Sequence, residues 1–292
     1  MLTGFLLAGA MAALPVPVAL LWARGRRGAA LAPALAAGLP ALFLGGAPLM
    51  LVVSGAVALA GVLLGALARR GWSIGWCVAA LALLMFCMSL ISVSGTTRSD
   101  WSVFFNARAA ALEAEAGGGT ALAEVMKWMD ERLPFVGFGL LFQGALFSAA
   151  AQAGLVFFLL RAGADGEAAP VPKGRFRTMR PPEWLVWLAI LALALWLADN
   201  RWPNDAVRFV AWNGAIALSA VYWLNGLGIA LCAMEAFGLR PVMCVVLLAL
   251  LFIMQAQHLL AVAGFVDTWF DQRLTAARIA AAWRARRDRD DD

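Results

Sequence analysis

Apolar runs dominate the chain, and their lengths fit a lipid core better than one face of a soluble helix. Eight stretches carry no charged side chain: Leu2–Trp22, Ala29–Leu44, Leu49–Leu67, Trp72–Val93, Phe135–Leu160, Trp184–Ala198, Phe209–Met234 and Pro241–Val266. A charge at mid-bilayer costs at least roughly 2.5 kcal/mol, so uncharged runs of this length predict membrane segments. The pattern therefore predicts an all-α, polytopic transmembrane helical bundle of about eight membrane segments, built as a single integral membrane domain over residues 1–292. Within the first run, Pro15 and Pro17 should kink the helix or split it into a re-entrant hairpin. The second and third runs meet at a tight, uncharged Gly45-Gly46-Ala47-Pro48 turn.

The polar residues between the runs fall into two kinds. Arginines gather in short groups beside helix ends: Arg24, Arg26 and Arg27; Arg69 and Arg70; and the loop 161–183, where Lys173, Arg175, Arg177 and Arg180 precede Pro181-Pro182. Such groups mark the cytoplasmic side. The segment 94–134 instead holds four basic against six acidic side chains, a net charge of −2, and belongs outside. It reads as amphipathic helices, Trp101–Glu115 and Ala121–Arg132, around a Gly117–Gly119 break. The C-terminal tail 267–292, with six arginines and six aspartates, breaks this scheme. Eight crossings from an outer N-terminus would leave it outside, whereas its arginines favour the cytoplasm, which a partial re-entrant turn near Gln255, Gln257 and His258 would permit.

Composition narrows the chemistry. A 63% hydrophobic content and mean hydropathy of +0.81 exclude an ordinary soluble domain. The net charge of +5 lies in groups at membrane edges rather than on one polar face, so no nucleic-acid partner is expected; the bilayer is the expected one. Cys77, Cys87, Cys232 and Cys244 lie in apolar runs without metal or redox spacing, and read as free thiols. With one His, one Tyr and no paired catalytic groups at matching depth, neither an enzyme nor a cofactor or metal is expected.

Polar groups inside the runs are the pointers to function, because each must find a partner away from lipid. Gln143, Asn213, Asn225, Gln255 and His258 are the candidate solute-binding residues, between the fifth, seventh and eighth runs; Gln255 and His258 are three apart and share a helix face. The competing reading is packing, since such amides bond across helices for roughly 0.6 kcal/mol each. Ala8 with Ala12, and Gly61 with Gly65, have the small-xxx-small spacing of helix contacts and are the candidates for touching a partner helix.

Three local patterns carry a family resemblance. Leu14-Pro15-Val16-Pro17 before an arginine-glycine turn, Phe176-Arg177-Thr178-Met179-Arg180-Pro181-Pro182 before a Trp-rich run, and Gly264-Phe265-Val266-Asp267 with Trp269-Phe270-Asp271-Gln272-Arg273 together resemble the YybS-like family of uncharacterised bacterial membrane proteins. That family is similar to the substrate-binding S components of energy-coupling-factor transporters and, more loosely, to MreD. The resemblance implies an S-component-like core, a bacterial inner-membrane location, and a partner membrane protein or ATPase module met through Ala8 and Ala12. Two function classes follow: a small-solute-binding transport component, or a membrane scaffold that binds envelope proteins without transport.

Overall fold

A computed structural model of the chain describes residues 13–94, 110, 121–162, 179–239, 243–244, 246–247, 250–251 and 257–290. Among these residues the secondary structure is entirely helical: α1 Pro15–Ala23, α2 Leu31–Arg69, α3 Ile74–Ser94, α4 Ala121–Ala162, α5 Leu185–Arg201, α6 Asp205–Ala236, α7 Gln257–Val266 and α8 Gln272–Asp290. Gln255, Ala8, Ala12 and most of Trp101–Glu115 lie outside the described residues.

Four helical segments are long and apolar enough to cross a membrane: Met50–Arg69, Ile74–Ile91, Phe135–Arg161 and Asp205–Ala236. Their side chains are distributed as in a lipid-solvated protein, with Leu51, Ile91 and Phe158 each about two-thirds exposed or more. The expectation of about eight crossings is thus met by four among the described residues.

Pro15 stands in the first turn of α1, where its missing N–H leaves no bond unmade; α1 begins there, and residues 1–12 lie outside the described residues. One boundary differs from the sequence pattern. Pro134 does not separate a surface helix from a membrane helix: α4 runs unbroken for 42 residues from Ala121 to Ala162. The helical path of α2, by contrast, folds back on itself. A Cβ at Gly38 would collide with the Ser54 hydroxyl and the Met50 carbonyl, whereas sixteen residues of straight helix would separate Gly38 from Ser54 by roughly 24 Å.

The chain divides into two compact units: residues 1–83, 146–186 and 219–292 in the first, and residues 84–145 and 187–218 in the second. In the first unit, α1 lies parallel to the second limb of α2. Gly61 faces Pro15 and Val18, Gly65 faces Ala19 and Trp22, and a Cβ on either glycine would meet α1 backbone oxygens within 3 Å. It is this chain's own α1, not a partner helix, that Gly61 and Gly65 meet. Val18, Ala30, Ala34 and Val57 form the adjoining core. Both helices end in the same way, at left-handed Gly25 and Gly71, with the Gly25 and Gly71 N–H bonded back to Trp22 and Ala68. Arg24, Arg26, Arg27, Arg69 and Arg70 are thereby gathered at one end of the pair.

The tail joins that same end. Met179, from the end of the basic loop, packs on Gly75 at the start of α3; its carbonyl accepts from Arg273, and Arg180 pairs with Asp271 at 2.7 Å. Counting eight full crossings would put the tail opposite the basic loop, and the structure puts the two in contact. α7 runs antiparallel to α6, the two backbones touching where Gly226 meets Leu260 and Gly264 meets Tyr222.

Candidate functional site

In the second unit, α4 and α6 run parallel, with Phe138 against Phe209 and Gly139 against Asn213 and Ile216. Asn213 holds them together. Its Nδ2 donates to the carbonyls of Phe135 (2.7 Å) and Phe209 (2.8 Å), and its Oδ1 accepts the N–H of Gly139. The two α4 groups are four residues apart, the two halves of one rung of a helical ladder, and the α4 position nearest Asn213 is a glycine because a Cβ there would press on the α6 backbone. Both polar atoms of the Asn213 amide are thus committed to helix contacts.

A cavity of about 360 Å³ opens beside this contact, where α5 ends and α6 begins, lined by Phe135, Val136, Trp196, Asp199, Asn200, Arg208 and Trp212. Sequence directs its construction. Asn204 caps α6, accepting the N–H groups of Ala206 and Val207, which sets Arg208 one turn into the helix. Asp199, the last-turn acid of α5, is buried and accepts both Arg208 Nε at 3.1 Å and the Asn204 N–H at 3.2 Å. Burial alone would raise the Asp199 carboxyl; the bonds from Arg208 and Asn204 and the Arg208 charge outweigh it and hold the carboxyl below its ordinary value. The Arg208 guanidinium also lies over the Phe135 ring, 5.4 Å from its centroid. Arg208 keeps a third of its side chain exposed. The cavity therefore presents a charged, fixed guanidinium to solvent, between aromatic walls.

The first unit contains a second charged group, closed on all sides. Asn225 Nδ2 donates to the Gly264 carbonyl at 2.8 Å, and its Oδ1 accepts Arg273 Nη2 at 2.7 Å. The same nitrogen reaches the Met179 carbonyl at 2.8 Å. Asp267 stands 3.7 Å from Arg273 Nε and accepts the Gln272 N–H. At that distance the pair is electrostatic, without a hydrogen bond from Nε. Burial lowers the Arg273 pKa from its ordinary value, and Asp267 pulls in the opposite direction. Asp267 and Arg273 fasten α7 and the start of α8 to α6 and the end of the basic loop.

The candidate residues are thus dispersed. Asn213 and a half-buried Gln143 belong to the second unit; Asn225, buried, and His258, exposed, belong to the first. The cavity is lined from the fifth, sixth and seventh apolar runs, not from the fifth, seventh and eighth. Neither Asp199 nor Arg208, which flank the turn between the sixth and seventh runs, is among the candidate residues that the sequence offers. The available signal was an acid one residue beyond an uncharged run, an arginine one residue before the next, and Trp196, Trp202 and Trp212 around them. Asp267 and Arg273 were visible only as tail charges, although both lie in the third of the patterns that carry the family resemblance. The four cysteines are free thiols, Cys77 buried and Cys87 exposed.

Long apolar helices with lipid-like surfaces define an α-helical membrane protein. The chain belongs to the family described as Predicted membrane protein (DUF2232), whose model matches residues 4–268, nearly its whole length. No curated protein and no solved structure matches it.

Proposed function

We propose that the chain is a membrane-embedded binding component that takes a small solute into the cavity around Arg208. One observation carries this: a guanidinium anchored by a buried carboxylate, a third of it open, set in an aromatic-walled cavity of about 360 Å³. Small-molecule sites are usually clefts of roughly this size in which a few fixed polar groups orient the ligand. In this reading the chain sits in a bacterial inner membrane with its arginine-bearing ends in the cytoplasm. It is not an enzyme. A partner membrane protein or ATPase module drives the movement of the solute, as the resemblance to S components suggests.

The test is chemical and genetic together. Protein extracted gently from its own membrane should carry a small molecule detectable by native mass spectrometry, and Trp212→Ala should release it. Deletion should lower uptake of that molecule by the cells. Protein that retains nothing, from cells whose uptake is unchanged, would overturn the proposal. A scaffold that binds envelope proteins is the second reading, favoured by one observation: Asn213 and Asn225 spend their amides on the chain's own groups. Envelope proteins would then co-purify with the chain, with no solute present.

A further inference from the structure

Resting on the reading of the cavity as a solute site, we infer that its ligand is a monocarboxylate with a flat apolar body, the carboxylate seated on Arg208 and the body against Trp196 and Trp212. The argument begins with what Arg208 has left to give. Its Nε is spent on Asp199, and its Nη1 forms an ion pair at 3.5 Å with Asp205, an 83% exposed carboxylate. The terminal N–H groups remain in a planar array whose spacing matches the two oxygens of a carboxylate. Asp205, solvated at the rim, yields to a ligand at little cost.

Charge balance narrows the class further. Asp199 cancels Arg208, and Asp205 adds one negative charge at the rim. A monoanion gains the guanidinium fork against this modest repulsion, whereas the second charge of a phosphate monoester finds no cation in the lining beyond an Arg208 already balanced by Asp199. An amine would share Asp199 with the guanidinium already bound to it, like charge beside like charge. Trp196, Trp212 and Phe135 line the space with aromatic rings, which favour a planar, apolar remainder.

The experiment uses the full-length protein in lipid nanodiscs and a matched set of probes: naphthoate, naphthamide, naphthylmethylamine and naphthyl phosphate, titrated by calorimetry. Naphthoate should bind at least about tenfold tighter than the other three, the margin that a charge-assisted bidentate contact supplies. Arg208→Lys, which keeps the charge and loses the fork, should weaken naphthoate by about tenfold and leave naphthamide unchanged. Asp205→Asn alters an exposed side chain and carries the test if Arg208→Lys does not fold; it should bring naphthyl phosphate closer to naphthoate. Binding of the amide or amine as tight as that of the acid would overturn the carboxylate assignment and leave the cavity as a solute site. If no probe binds, the assignment fails, and retention of a native molecule that Trp212→Ala releases decides whether the site reading survives.

Discussion

Each compact unit contains an aspartate paired with an arginine, and the space around the pair decides its use. Asp267 and Arg273 have 1% and 9% of their side chains exposed, and Arg273 gives both bonds of its Nη2 to protein acceptors. Asp199 is as deeply covered, at 8%, yet its Arg208 is 34% exposed and lines a cavity. A pair sealed on both sides has no capacity for a ligand, but fastens four segments of chain at one point. A pair sealed only on the acid side holds its cation fixed and available. The comparison separates a structural clasp from a binding site without appeal to residue type, since the residue types are the same.

The contrast can be broken most forcefully at the clasp. Arg273→Met should cost about 3–5 kcal/mol of stability, because Asp267 is left charged and buried, while the double variant with Asp267→Leu should recover most of it. Denaturant unfolding in detergent would measure both; a single-variant loss under about 1 kcal/mol would show that the pair is not sealed. Next comes Asn213→Leu, which removes the two side-chain bonds joining α6 to α4 and should cost about 1–3 kcal/mol by the same measurement.

Acid should act on the open pair. The Asp199 carboxyl is lowered in the fold, so its contribution is fully present above the unfolded carboxyl value and is lost as pH falls through the folded one. The unfolding midpoint should therefore decline below about pH 4, and Asp199→Asn should remove its share of that decline. Asp271, lowered first by its bond from Arg180, adds to the same window. Removing this exposed pair by Arg180→Ala should cost the least, roughly 0.2–1 kcal/mol, and less still at high salt. With no expected change in stability, Cys introduced at Ala282 should be labelled from the same face of the membrane as Cys introduced at Arg26; labelling from opposite faces would break the shared-end arrangement of tail and arginine groups.

Much of the fold was legible. Uncharged runs located the described helices except α8, which lies in the charged tail, and the arginine groups located one end of the first unit. Left-handed Gly25, Gly71 and Gly238 stand just past helix ends. The candidate site was less so. Amides inside apolar runs need partners, and Asn213 and Asn225 both find them within the chain, but which backbone groups they meet depends on helices far apart in sequence. Gly61 and Gly65 announced a close helix contact without saying whose helix would fill it.

What the sequence determined alone is the solvent of this protein: side chains that cannot carry charge through lipid define its helices, and arginines that cannot cross it mark their ends. What only the tertiary structure decided is which charges are spent on one another. Asp199 finds Arg208 across a turn, and Arg273 finds Met179 from 94 residues away, and no periodicity along the chain encodes a meeting set by how helices cross. Whether a guanidinium is closed off or left open is a matter of the volume around it, and volume belongs to packing.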